Sequence, residues 1–150
     1  MAGTVVQLSV SGGGMPKLAV GEAKVTFEGL AGDWQLNRKH HGGARRAVCL
    51  YSLELYKWLA DQGVALEPGQ LGENITTRGV DLMEWKVGDR VRVGKAVIEI
   101  AEPRVPCSSL DRWDERLMQM MEGRAGWLAK VVVEGVVNAG DGVEVVGNDE

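Results

Sequence analysis

Apolar and polar residues alternate in short runs along most of the chain, and glycines separate the runs. The first run places Val6, Leu8 and Val10 on one face. Gln7 and Ser9 fall on the opposite face, which predicts a strand with one face in water. The same reasoning predicts strands over residues 4–10, 23–27, 47–51, 91–93, 97–100, 127–133, 136–137 and 143–146, of which 91–93 and 97–100 form a hairpin.

Two segments instead show the spacing of an amphipathic helix. Ser52 is a candidate N-cap for the first helix. Its apolar positions are Leu53, Tyr56, Ala60 and Val64. Ser108 and Asp111 form a weak capping box at the start of the second helix, which Gly123 is expected to end. Its apolar face comprises Leu110, Trp113, Leu117 and Met121. The patterns over residues 72–77 and 80–85 favour neither helix nor strand.

The composition is that of one ordinary domain, residues 1–150, except for its glycine content. Of the 150 residues 45% are hydrophobic and 25% charged, while the 21 glycines are about twice the average usage of about 7%. Glycines among short strands are typical of corners and bulges. We therefore predict a mainly β fold, a closed or strongly bent β-barrel with two or three short helices.

Charge and hydropathy exclude several classes of function. The net charge of −4 gives no broad basic surface for nucleic acid or anionic lipid. No apolar run approaches the roughly 20 residues of a membrane span, and the start of the chain has no signal-peptide pattern. Two cysteines are too few for a disulfide framework. We expect a cytoplasmic protein that binds neither nucleic acid nor membrane.

Cys107 is the first candidate for chemistry. It directly precedes the predicted second helix, where unpaired amides and the helix dipole favour a thiolate, and Arg104 adds positive potential nearby. The alternative is a small buried hydrophobic residue, which is the commoner role of a single cysteine. Cys49, within an apolar strand, is assigned that role.

Two glycine-rich segments carry cations. Gly42 and Gly43 follow His41 and precede Arg45, and exposed amides beside cations are suited to a phosphate or a dianion. The alternative is a solvated polar loop. A second glycine loop, residues 11–14, leads to Lys17 but lacks the ending of a nucleotide P-loop. The turn around Asn74 offers one amide and one carboxylate, and is by itself more often a turn than a site.

Taken in order, these motifs resemble the MOSC family, the domains related to the C-terminal part of molybdenum cofactor sulfurase. The resemblance covers nearly the whole chain. Its motifs are the early glycine loop with Pro16 Lys17; Gly32 Asp33 with Gln35; His41 Gly42 Gly43 followed by Ala47, Val48 and Tyr51; Pro68 Gly69 with Gly72 Glu73 Asn74; Gly88 Asp89 with Gly94; Pro103 Arg104 with Pro106 Cys107; and Gly126 Trp127 with Gly135 and Gly140 Asp141.

The resemblance implies a β-barrel of the MOSC and pyruvate-kinase-like type and a functional cysteine, here Cys107. That cysteine either ligates the molybdenum of the molybdopterin cofactor or carries sulfur as a persulfide. A soft thiolate suits a metal already held by dithiolene sulfurs. Enzymes of the family are similar to reductases of N-hydroxylated compounds. The residues expected to bind the cofactor are Lys17, His41, Gly42, Gly43, Arg45, Asn74 and Arg104.

The sequence also departs from the family. Many bacterial relatives have an aromatic residue and a lysine after the cysteine, where this chain has Ser108 and Ser109. We expect it to lack the helical or ferredoxin-like extension that some reductase members carry, and a pyridoxal-phosphate domain of the sulfurase type. Catalysis on a small molecule would therefore need an electron-donor protein, and sulfur transfer would need a cysteine desulfurase or a recipient molybdoenzyme.

Three hypotheses follow from the sequence. The first is a molybdenum-dependent oxidoreductase with the metal bound by Cys107. The second is a carrier of persulfide sulfur or of the intact cofactor, without catalysis of its own. The third is a barrel that only binds a small phosphorylated ligand.

Overall fold

The computed structural model describes residues 2–33 and 46–148. Short strands dominate it, with two α-helices and two 3₁₀ turns, Leu82–Glu84 and Ser108–Arg112. The strands are β1 (Gly3–Val10), β2 (Leu18–Val20), β3 (Glu22–Thr26), β4 (Gly29–Leu30), β5 (Val48–Ser52), β6 (Ile75–Arg78), β7 (Asp89–Val93), β8 (Ala96–Pro103), β9 (Trp127–Val133), β10 (Gly135–Asn138) and β11 (Gly142–Asn148). The helices are α1 (Leu53–Asp61) and α2 (Leu117–Met120).

Seven strands form a closed ring in the order β11, β7, β8, β9, β5, β6, β1. Gly3 and Thr4 close the ring by pairing with Val143 and Gly142 of β11. Strands β5 and β6 run parallel, with α1 in the connection between them, while the other neighbours in the ring are antiparallel. The predicted mainly β, closed barrel is therefore confirmed.

Two apolar clusters hold the fold together. The first fills the barrel with inward-facing residues from alternate positions of the strands, for example Val91 and Val93 of β7 and Ile98 and Ile100 of β8. The second cluster lies under the helical segments and consists of Tyr51, Tyr56, Leu59, Val64, Leu71, Leu110, Leu117, Met121 and Ala125. Burial of these side chains is the main favourable contribution to folding.

The prediction of which β1 side chains are buried was right for Leu8 and wrong for Val6 and Ser9. The pairing of β1 with β6 shifts register between Val5 and Gln7, so the strict period of two is interrupted by a bulge. Val5 and Leu8 therefore both enter the barrel, and Ser9 is fully buried rather than in water. Val6 is only half-buried.

The first predicted helix is confirmed and the second is not continuous. Ser52 caps α1 by accepting a hydrogen bond from the Leu55 amide at 3.1 Å. The second helix is split into the 3₁₀ turn Ser108–Arg112 and the single turn α2, and Ser108 does not cap it. Between them Asp114 accepts the Arg116 amide at 2.8 Å, a local bond that competes with the helical pattern.

The two segments without a clear pattern are now assigned. Residues 75–78 form β6, and residues 82–84 form a 3₁₀ turn whose N-cap, Asp81, accepts a hydrogen bond from the Met83 amide at 2.9 Å. Within residues 2–33 and 46–148, no helix has the length and apolar character needed to cross a membrane.

Candidate functional site

Cys107 lies where β8 leaves the barrel and the 3₁₀ turn begins. Its thiol is exposed, and Sγ lies 2.7 Å from the Ser109 hydroxyl oxygen. The buried alternative is therefore excluded for Cys107. Cys49 is buried within β5, as predicted, and this burial raises the pKa of its thiol. Cys107 is thus the thiol that a metal, a persulfide donor or a substrate can reach.

Arg104 sits beneath this turn with its guanidinium partly unsatisfied. Nη2 donates to the Leu71 carbonyl oxygen at 2.5 Å, while Nη1 is buried without a hydrogen-bond partner among the described residues. Burial alone would lower the pKa of a guanidinium, but the acidic groups around Arg104, Cys49 and Glu73 first among them, raise it. A buried donor that carries charge and has no acceptor is rare and costly. It fits an anionic ligand beside Cys107.

Lys17 is committed to an ion pair inside the protein. Its Nζ lies 2.8 Å from Oδ2 of Asp33, and both side chains are more than nine-tenths buried. The charge predicted to attract a cofactor phosphate is therefore already balanced. Asp33 was missed as a functional residue in the sequence, although the Gly32 Asp33 pair was part of the family motif.

Both polar side-chain atoms of Asn74 are also hydrogen-bonded within the protein. Its Nδ2 donates to Oδ2 of Asp33 at 2.9 Å and to the Ser9 carbonyl at 3.3 Å, while Oδ1 accepts from the Cys49 amide at 2.9 Å. The residue is 1% exposed. It therefore connects Asp33 to β5, and a ligand could bind its side chain only by replacing one of these bonds.

The remaining predicted ligands, His41, Gly42, Gly43 and Arg45, lie outside the described residues. Within the described ranges no group of three or more His, Cys, Asp or Glu side chains could hold a metal ion. The structure thus brings Cys107 and Arg104 together in one segment and places Lys17 and Asn74 in the network around Asp33.

A second buried carboxylate, Glu73, lies next to Asn74 in the chain. Oε1 accepts from the Tyr56 hydroxyl at 2.7 Å, and Oε2 accepts from the Thr76 hydroxyl at 2.7 Å and the Gly69 amide at 3.1 Å. Burial raises the pKa of the Glu73 carboxyl, although these hydrogen bonds act in the opposite direction. Glu73 thereby ties α1 to the loop before β6.

Glu73 makes stability depend on pH. A carboxyl with a raised pKa binds its proton more tightly in the folded state, so its contribution is fully present below the unfolded pKa of 4.5 and is lost as pH rises through the folded pKa. We expect the free energy of unfolding of the wild type, relative to Glu73→Gln, to fall as the pH is raised from 4.5 upward. Urea denaturation across this range measures it, with the exposed Glu67→Gln as the charge-matched control. A difference between wild type and Glu73→Gln that is constant with pH would contradict the assignment.

A separate groove lies away from the Cys107 turn. It has a volume of about 630 Å³ and is lined chiefly by Leu55, Trp58, Val80, Leu82 and Met83. Arg124 stacks over Trp58 at 4.1 Å from the ring centre. Among the candidate ligands that the structure describes, Lys17, Asn74, Arg104 and Cys107, none lines it.

Comparisons with known proteins identify the family of the chain. The family model described as MOSC domain matches residues 37–144. Protein YiiM of Escherichia coli is 37% identical over 134 residues, which is 84% of this chain and 60% of YiiM. The crystal structure of YiiM from Escherichia coli superposes with a TM-score of 0.78 at 30% identity, covering 98% of this chain and 70% of that one.

A third relative is a protein of Gibberella moniliformis named "Reductase". It is 32% identical over 115 residues, covering 71% of this chain but 20% of that much longer protein. The family model spans well over half of the chain, and the closed barrel is the fold that the resemblance implies. The chain therefore belongs to the MOSC domain family and is similar to the YiiM proteins.

Proposed function

We propose that this chain binds the molybdenum cofactor at the Cys107 turn and acts as the reductase-type unit of a molybdenum-dependent oxidoreductase. The observation that carries the proposal is the pairing of an exposed thiol with the unsatisfied buried Nη1 of Arg104, three residues away in the same loop. Cys107 would hold the metal, because a soft thiolate suits molybdenum already bound by dithiolene sulfurs. Arg104 would bind the anionic part of the pterin.

The other proposed ligands come from the sequence. His41, Gly42, Gly43 and Arg45 stay predicted ligands for the cofactor phosphate, since amides and cations are the groups that such a phosphate needs. Lys17 and Asn74 contribute indirectly, because Asp33 occupies both side chains. The predicted phosphate ligands thus contact the cofactor, whereas Lys17 and Asn74 shape its site.

The proposed substrates are small N-hydroxylated molecules. The net reaction converts R–NH–OH, two electrons and two protons into R–NH₂ and water, so the N–O bond breaks and the oxygen leaves as water. The cofactor supplies a metal centre that exchanges two electrons. This chain supplies the thiolate, the cationic surroundings and an exposed approach at Cys107. The electrons must come from an external donor protein.

Metal and pterin analysis of the freshly purified protein tests the proposal. Expressed in a host that makes the cofactor, the protein should carry molybdenum and pterin in near-equal amounts and should reduce an N-hydroxylated purine with an artificial electron donor. Expression in a host unable to make the pterin is the control and should give metal-free, inactive protein. Protein that lacks both metal and pterin from the competent host would overturn the proposal.

The exposed position of Cys107 also supports a second candidate, a persulfide carrier. The Cys107 thiolate would attack the outer sulfur of a desulfurase persulfide, whose S–S bond breaks, giving Cys107–S–SH and a free desulfurase thiolate. Incubation with a cysteine desulfurase and cysteine should then add the mass of one sulfur atom at Cys107 and none at buried Cys49. The absence of this adduct, with the enzyme active on another acceptor, excludes the carrier.

A further inference from the structure

One buried carboxylate contacts both ends of the glycine loop, residues 11–17. Oδ1 of Asp33 accepts from the Ser11 amide at 3.0 Å, where the loop begins. Oδ2 accepts from Lys17 Nζ at 2.8 Å, where the loop ends. Only 4% of the Asp33 side chain is exposed. The loop is therefore closed at its base by a single residue distant in sequence.

The same carboxylate is tied to the barrel wall. Asn74 donates to Oδ2 of Asp33 and accepts from the Cys49 amide of β5. The Lys17 amide donates to the Gly69 carbonyl at 2.9 Å, which fixes the end of the loop a second time. These bonds leave the base of the loop little freedom relative to β5 and β6.

The tip of the loop rests against the Cys107 turn. Arg112, in the 3₁₀ turn that begins after Cys107, donates through Nη1 to the Met15 carbonyl at 2.6 Å. The Met15 side chain packs closely over Gly72, where an added Cβ would lie 2.9 Å from Met15 Cγ and 3.8 Å from Nη2 of Arg104. A set of contacts thus leads from Asp33 through the loop to the 3₁₀ turn that follows Cys107 and to Gly72, which is next in the chain to the Leu71 carbonyl that Arg104 binds.

We propose that Asp33 is the positioning residue of the candidate site. Its carboxylate holds loop 11–17 against the Cys107 turn, so that the loop forms one wall of the cofactor site. Lys17 serves this purpose and does not bind the phosphate itself. The role of Asp33 in cofactor binding rests on the proposed function, whereas the role of Asp33 in holding loop 11–17 does not.

The test compares Asp33→Asn with Asp89→Asn. Asp89 is a matched control, since it is a buried carboxylate that accepts the Lys86 amide at 3.0 Å and the Asn148 amide group at 2.8 Å, on a strand without candidate ligands. Hydrogen–deuterium exchange of the pterin-free proteins is the first measurement. Asp33→Asn should exchange roughly tenfold faster or more in residues 11–17 and 107–113, while Asp89→Asn should not.

Pterin content is the second measurement. Asp33→Asn should retain severalfold less pterin than Asp89→Asn at the same folded fraction. If Lys17 bound the phosphate directly, freeing its ammonium group would preserve or increase the pterin content, which would overturn the proposal. Unchanged exchange in residues 11–17 would overturn it as well. A wild type without pterin defeats the proposed function alone, because the exchange measurement still tests the loop.

The double variant Asp33→Asn with Lys17→Met covers the case in which the single variant does not fold. It removes both charges, so no ammonium group stays buried without a partner. This protein should fold, yet residues 11–17 should still exchange faster and pterin content should stay low. Wild-type exchange and pterin content in the double variant would show that the loop does not need Asp33.

Discussion

Cys107→Ser is expected to abolish molybdenum binding and reductase activity while leaving the fold intact. A hydroxyl is a hard, weakly acidic ligand and does not replace a soft thiolate at this metal. The residue is exposed, and among the residues that the structure describes its one side-chain hydrogen bond is to Ser109, so the free energy of unfolding should change by no more than about 0.5 kcal/mol. Elemental analysis, activity and thermal denaturation of the purified variant measure the three effects.

The pterin content of Cys107→Ser distinguishes loss of the metal alone from loss of the whole cofactor. Arg104 and the predicted phosphate ligands are unchanged in Cys107→Ser, so pterin should remain while the metal is lost. Cys49→Ala is the control, because it removes the buried thiol and should keep both metal and activity despite some loss of stability from the cavity. A molybdenum content in Cys107→Ser equal to that of the wild type would show that Cys107 is not the metal ligand.

Gly126→Ala is expected to destabilise the protein by about 2–5 kcal/mol, the sum of a left-handed backbone and overpacking. Gly126 has φ +87 directly before β9, and an added Cβ would overlap the Leu50 carbonyl oxygen of β5. Its own carbonyl accepts the Arg104 amide at 3.0 Å. Movement here would therefore disturb both the barrel and the segment that leads to Cys107. Urea denaturation gives the stability.

Gly123→Ala separates the two contributions. Gly123 also has a left-handed backbone, φ +75, but an added Cβ would meet nothing within 4 Å. Its substitution should cost only the conformational part, about 1–2 kcal/mol. Equal losses in the two variants would show that the close approach of Gly126 to β5 is unimportant.

The sequence was sufficient for features set by neighbouring residues. The β7–β8 hairpin, the Ser52 cap of α1 and the buried Leu110, Leu117 and Met121 follow from spacing and turn chemistry alone. The family motifs, read in order, likewise led to the barrel and to Cys107. The bulge in β1 was not predictable, because it is defined by the pairing of that strand with β6, about seventy residues later in the chain.

The candidate site also contains both residues that the local sequence identifies and residues whose roles depend on distant contacts. Cys107 and Arg104 are three residues apart and were identified together, whereas the role of Lys17 depends on its contact with Asp33. That ion pair joins two loops, and nothing in the local pattern distinguishes a lysine that faces a ligand from one that faces a buried carboxylate. Asn74 likewise acquires its partners, Ser9, Asp33 and Cys49, only when two strands and two loops meet.

The closure of the ring has a consequence for synthesis on the ribosome. The first strand, β1, lacks one of its two ring neighbours until β11 is made, because Gly3 and Thr4 pair on that side with Val143 and Gly142. Until β11 emerges, β1 and β7 each lack one ring neighbour and present unpaired backbone groups, and such edges promote association between chains. A chain whose translation stops before residue 142 is therefore an open barrel with two unpaired strand edges. Such a chain is a substrate for chaperones and proteases.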